Sequence, residues 1–261
     1  MHDEQDGIGR GALRLSGPAG LARAAKGCEP VTMLRFALLA LLAIPTAAHA
    51  DERKYMLSGF DRVRVEGSFD VVVTSGVSPG AIATGETRSL DLVNVRVEGR
   101  TLVVSPGVNA WGGYPGTPKP LPRIAVRATM LRSAAVIGGG RLTIDRMAGQ
   151  RVDLSLSGAG SLVVGRAQAD RLDATLIGTG SLTVGGSALR ARFQSNGAGT
   201  IDAAALDSRA LTVNAQGSGD ASFAARETAE IIAEGQGAVR VAGSPACTVR
   251  GSAAVICGAG K

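Results

Sequence analysis

The sequence predicts an all-β fold, a β-solenoid whose rungs are about 20 residues long. Three observations predict it. First, from residue 131 onward a Gly-x-Gly unit recurs: Gly138-Gly139-Gly140, Gly158-Ala159-Gly160, Gly178-Thr179-Gly180, Gly197-Ala198-Gly199, Gly217-Ser218-Gly219, Gly235-Gln236-Gly237 and Gly258-Ala259-Gly260. The first glycines of successive units lie 20, 20, 19, 20, 18 and 23 residues apart. Second, the segments between them alternate apolar and polar with period two. Third, the chain is rich in Gly (37 residues) and has 45% apolar but only 3% aromatic residues. Small and branched side chains suit thin, stacked strands better than a globule built on large rings.

Each repeat reads as strand, bend, strand, turn. Before the bend, the positions six, four and two residues ahead of the first Gly hold Val152, Leu154 and Leu156, then Leu172, Ala174 and Leu176, then Ala191, Phe193 and Ser195, then Leu211, Val213 and Ala215. The positions between them are polar in most repeats, as in Arg151, Asp153 and Ser155 or Arg171, Asp173 and Thr175. After the bend the apolar positions resume, for example Leu162 and Val164 or Leu182 and Val184. A unit of this length cannot bury its own apolar face, so equivalent units stack. Stacking predicts ladders of like residues: Ser161, Ser181 and Thr200 after the bend, Arg151 over Arg171, and Asp153 over Asp173.

Ahead of residue 131 the rhythm loosens. Val63 and Val65, then Phe69, Val71 and Val73, then Leu90, Leu92, Val95 and Val97, then Leu102 and Val104, then Ile124 and Val126 read as strands. They are expected to be divergent early rungs or an N-terminal cap. The Pro/Gly-rich stretch 106–120 reads as a loop. It carries Trp111 and Tyr114, two candidate ligand-binding residues. They serve either as an exposed aromatic platform or as a cover for the end of the solenoid. Residues 51–130 are thus the less regular part of the solenoid and 131–261 its regular repeats.

Residues 1–50 read as a leader. Arg35 precedes the apolar run Phe36–Ile44, Pro45 breaks it, and Ala48-His49-Ala50 closes it. This is the pattern of a secretory signal peptide cut after Ala50, with translation expected to start at Met33. The run is too short to span a bilayer, and the chain beyond it carries no membrane span. The expected location is the periplasm or the exterior of a bacterial envelope. The whole chain has 28 Lys+Arg and 22 Asp+Glu, of which the leader holds five and four, leaving 23 and 18. The arginines lie scattered along the sequence without interleaved aromatics, so nucleic-acid binding is not expected.

Cys247 and Cys257 remain beyond the leader. An even pair in an oxidising compartment predicts a disulfide. The spacing of ten suits two neighbouring antiparallel strands or a folded-back last rung.

The segment Gly59-Phe60-Asp61-Arg62-Val63-Arg64-Val65-Glu66-Gly67-Ser68-Phe69-Asp70-Val71-Val72-Val73 and the serial Ser/Gly bends resemble the putative auto-transporter adhesin, head GIN domain family, over residues 57 to 257. The resemblance implies a right-handed parallel β-helix in the bacterial envelope. It transfers no catalytic residue. No membrane-barrel segment follows before Lys261, so an adhesin's export across an outer membrane is not expected from it.

The chemical motifs point away from catalysis and cofactors. A phosphate-binding Gly loop sits once between a strand and a helix; here the unit occurs seven times with no helical pattern behind it. Calcium-binding nonapeptides need Asp in the turn, and only Gly217-Ser218-Gly219-Asp220 offers one. Both histidines, His2 and His49, fall in the leader, which removes Ser-His-Asp, Cys-His and His-zinc chemistry. The one candidate catalytic set is Asp153 and Asp173 beside Arg151, Arg171 and Arg192, because stacked strands put such carboxylates about 5 Å apart, near the separation of a retaining glycosidase pair. The expected function is therefore a non-enzymatic, adhesin-like or structural envelope protein whose partner is a glycan or a protein. The alternative is a carbohydrate-active β-helix enzyme.

Overall fold

The computed structural model describes residues 51–107 and 122–258. Trp111 and Tyr114 lie outside the described residues. The elements run in chain order as β1 (Asp51–Tyr55), β2 (Arg62–Glu66), β3 (Asp70–Ser75), β4 (Gly80–Gly85), helix α1 (Thr87–Leu90), β5 (Val93–Glu98), β6 (Thr101–Pro106), β7 (Arg123–Ala128) and β8 (Ser133–Ile137). Then come the long strands β9 (Arg141–Gly158), β10 (Ser161–Gly178), β11 (Ser181–Gly197), β12 (Thr200–Gly217) and β13 (Ala221–Gly235), and finally β14 (Ala238–Gly243), β15 (Ala246–Gly251) and β16 (Ala254–Cys257). The chain is a β-solenoid of about six turns.

Each long strand makes one rung and bends so that its two halves lie on opposite sides of the core. The first halves, such as 161–164, stack into face 1; the second halves, such as 171–177, stack into face 2. Pairing from β9 to β13 is parallel throughout, with Gly158, Gly178, Gly197, Gly217 and Gly235 in one register column. These glycines have φ between +114° and +130°, so they turn the corners as the spacing predicts. The Ser161–Ser181–Thr200 ladder forms, with a hydroxyl hydrogen bond of 3.1 Å between its two serines. Alternate residues fill a continuous core. Leu142, Leu162, Leu182 and Ile201 stack on face 1; Val152, Leu172, Ala191 and Leu211 stack on face 2, all buried. Fully burying one such side chain contributes about 1.5–3 kcal/mol.

Before residue 131, stacking order departs from chain order. Face 2 begins β5-β6-β2-β8-β9 and face 1 begins β1-β4-β7-β3-β9. The β2–β3 rung is therefore sandwiched between the later β6–β7 rung and the β8–β9 rung. The chain lays down the middle rung first, moves outward, and crosses back through residues 129–132. The outer end is closed by antiparallel pairs, β1 on β4, β4 on β7 and β5 on β6. Leu90, expected within a strand, is buried from the one-turn helix α1 instead, and the strand starts at Val93.

At the other end, Cys247 and Cys257 are joined, with Cα atoms 6.4 Å apart. The two cysteines do not lie on paired strands. Cys247 is in register with Ala229 and Cys257 with Val241, both buried. The bridge thus links the two sides of the last rung, from β15 on face 2 to β16 on face 1, with Cys247 exposed and Cys257 half-buried. Closing a loop of this size in the unfolded chain accounts for up to about 3 kcal/mol. That link is valuable at a rung that has only one stacking neighbour.

Candidate functional site

Two polar features stand out from the ladders. One is Asp61, at the entry to β2 and only 5% exposed. Its Oδ2 accepts from Nη2 of Arg100 at 2.6 Å and from Nη2 of Arg132. Its backbone N–H donates to Arg100 O at 3.1 Å, and its carbonyl accepts from Arg132 N at 2.9 Å. Asp61 therefore pins three chain passes together: the middle rung, the outer rung and the crossover that returns past them. Burial pushes its carboxyl up, but the guanidiniums of Arg132 and Arg100 outweigh that and hold it below its ordinary value near 3.8.

This has a pH consequence. A native value below the unfolded value of about 3.9 means that the contribution is complete above the unfolded value and is lost as pH falls through the native one. Asp61→Asn is expected to lower the unfolding free energy by about 1.5–3 kcal/mol at neutral pH, the range for hydrogen bonds to charged groups. The gap between wild type and variant should shrink toward pH 3. Urea midpoints for both proteins at neutral and acid pH check this.

The second feature is face 2. Its outward positions form three columns in register: Arg151–Arg171–Arg190, Asp153–Asp173–Arg192 and Ser155–Thr175–Gln194–Asn214. The predicted ladder of Arg151 over Arg171 forms and continues to Arg190, so arginines spread along the sequence share one stripe. Arg151 Nε lies 2.8 Å from Asp153 Oδ1, and its Nη2 reaches Asp173 at 3.2 Å. Arg171 Nε sits 2.7 Å from Asp173 Oδ2, which raises the Arg171 guanidinium further. A cleft of about 380 Å³ opens over these residues, reaching Arg192 and Gln194. A second, of about 270 Å³, runs over Thr175, Ile177, Gln194, Asn196, Asn214 and Gln216.

The structure brings the sequence-predicted Asp153 and Asp173 side by side, each tied to arginine. Charge-assisted hydrogen bonds from Arg151 and Arg171 reach Asp153 Oδ1 and both oxygens of Asp173. Among the described residues, no group of three His, Cys, Asp or Glu is placed to hold a metal ion. No helix among them is long and apolar enough to cross a membrane. Gln194 and Asn214 fall on the polar, outward positions that the alternation predicts, but the sequence alone assigned them no binding role. Their signal is a polar residue three before the first Gly of the unit: Ser155, Thr175, Gln194 and Asn214.

The fold and its laddered polar face define the class: a parallel β-solenoid with an extended surface of repeating polar side chains. The chain belongs to the putative auto-transporter adhesin, head GIN domain family, whose profile matches residues 59–245. Its fold is similar to that of a putative adhesin from Bacteroides fragilis (TM-score 0.72, 20% identity, covering 80% of this chain and 97% of that one). It is similar to a putative lipid binding protein from Parabacteroides distasonis (TM-score 0.65, 20% identity, 82% and 98% covered). A putative adhesin from Parabacteroides merdae is a third (TM-score 0.61, 17% identity, 82% and 98%). No curated protein matches the chain.

Proposed function

We propose that the protein is a non-enzymatic, adhesin-like binding protein of the bacterial cell envelope and that face 2 is its binding surface, with a glycan as partner. One observation carries the reading: the outward column Ser155–Thr175–Gln194–Asn214 places a hydroxyl or amide on four consecutive rungs, about 4.8 Å apart, along two clefts that share Thr175 and Gln194. Such groups both donate and accept, which is what an array of sugar hydroxyls needs. Family membership supports the adhesin-like role. The signal-type leader supports export, and the disulfide suits an oxidising compartment.

A glycan array probed with the purified protein and with a Gln194→Ala, Asn214→Ala variant tests this. Loss of two hydrogen bonds of about 1 kcal/mol each is expected to weaken binding roughly tenfold or more while leaving the unfolding midpoint unchanged. Equal binding by both proteins sinks the assignment of face 2. Release of shortened saccharides by the wild type, abolished by Asp153→Asn with Asp173→Asn, would support the carbohydrate-enzyme alternative instead.

A further inference from the structure

The stripe on face 2 has an uneven charge balance along the solenoid axis. At its upper end Arg100 and Arg132 share Asp61, in a cleft of about 630 Å³ that also includes Arg151. Arg151 links that cleft to the next, where Arg151 and Arg171 share Asp153 and Asp173. One rung further the column changes sign: Arg192 occupies the register position of Asp153 and Asp173. Arg190 and Arg192 stand two residues apart on one strand, both exposed, and among the described residues no carboxylate lies within 4.0 Å of either. A cleft of about 240 Å³ joins them to Arg171 and Thr212. Six arginines thus line one axial track against three aspartates, and the uncompensated charge is concentrated at one rung.

We infer that this track is a binding site for a linear acidic polysaccharide, one whose carboxylate seats between Arg190 and Arg192. The inference rests on the reading of face 2 as the glycan-binding surface. Guanidinium forks bind carboxylates through paired charge-assisted hydrogen bonds. Gln194, Thr212 and Asn214 lie on the same and the next rung, in register beside the two arginines, and take the sugar hydroxyls. Asp153 and Asp173 accept hydroxyl protons from neighbouring units, but they repel a polymer that carries charge on every unit and no hydroxyls. That favours a uronate-type glycan over polyphosphate. The phenylalanines among the described residues are all buried and offer this face no platform for stacking single-stranded nucleic acid. A membrane surface would need a contiguous apolar patch; exposed Ile137 and Ile177 on this face are separated in register by Ser157.

The test uses polygalacturonate oligomers, their methyl esters, polyphosphate, and vesicles containing phosphatidylglycerol. The purified protein is compared with an Arg190→Gln, Arg192→Gln variant and with Arg226→Gln, a control arginine paired with Asp207. Polygalacturonate is expected to bind, to weaken at least tenfold when salt rises from about 0.05 to about 0.5 M, and to weaken at least tenfold in the double variant. Arg226→Gln should match the wild type, and circular dichroism should show all three proteins folded alike. Equal affinity for the methyl ester overturns the charge-reading site while leaving the glycan reading intact. Polyphosphate or vesicles bound as tightly as polygalacturonate at equal salt, or a double variant equal to wild type, also overturns it. Failure of every saccharide, charged or neutral, removes the face-2 glycan reading itself and this inference with it.

Discussion

Replacing Gly178 by Ala is expected to destabilise the solenoid by about 3–5 kcal/mol, among the largest effects of any single substitution. Two costs combine. Gly178 has φ +116°, a backbone region that L side chains rarely adopt. A Cβ there would also sit 2.5 Å from the Gly158 carbonyl oxygen and 3.1 Å from the Gly158 carbonyl carbon. Both are backbone atoms held by the rung below, so no side chain can swing aside. Two other glycines separate the terms. Gly76 has φ +90° but nothing within 4 Å of an added Cβ, so Gly76→Ala should cost only the strain, about 1–3 kcal/mol. Gly59 has neither feature, and Gly59→Ala should fall within about 0.5 kcal/mol of wild type. Denaturant titrations of the three variants check the order. Equal effects at Gly178 and Gly76 would mean that rung contact adds nothing.

Phe193→Ala is the second large effect, expected at about 3–5 kcal/mol. Phe193 is 1% exposed and packs on Phe223, with ring centroids 4.8 Å apart and planes tilted by 51°. The two rings come from opposite faces, Phe193 from face 2 and Phe223 from face 1. In register beside them stand the small residues Ala174 and Ala203, which make room for the rings. Removing one ring leaves a hole beside an alanine, and the hydrogen-bonded rungs resist collapse into it. Phe193→Leu keeps most of the volume and should cost less than half as much. Unfolding midpoints of the two variants decide the point; similar losses would indicate that ring shape, not volume, sets the packing here.

The regular half of the molecule was legible because two periods coincide. Alternation along Arg151–Leu156 names which side chains face inward, and the recurrence of Gly158, Gly178 and Gly197 names which residues stack. From these follow the serine ladder and the pairing of Asp153 with Asp173. The first half was less legible, for a physical reason. The strands around Val63, Leu102 and Ala134 are all short apolar alternations, and nothing local says which lies beside which. Non-local hydrogen bonding places β2 between β6 and β8, and the buried Asp61 with its two arginines holds that order. A similar limit applies to the cysteines. A spacing of ten fits neighbouring antiparallel strands or a folded-back last rung, and only the first is excluded, because β15 and β16 do not pair with each other. The Arg151–Arg171 ladder was legible from the same period; its extension to Arg190, and the replacement of the aspartate column by Arg192, follow from the register of β11.

The most direct test of face 2 as the binding surface is an amide chemical-shift titration of the purified protein with polygalacturonate oligomers. Saturable shifts clustered at residues 171–175, 190–194 and 210–214 are expected, with little change on face 1 at 161–164 and 181–184. Shifts centred on face 1, or on the exposed last strands around Val249 and Ile256, would contradict it, as would no shift at any oligomer concentration.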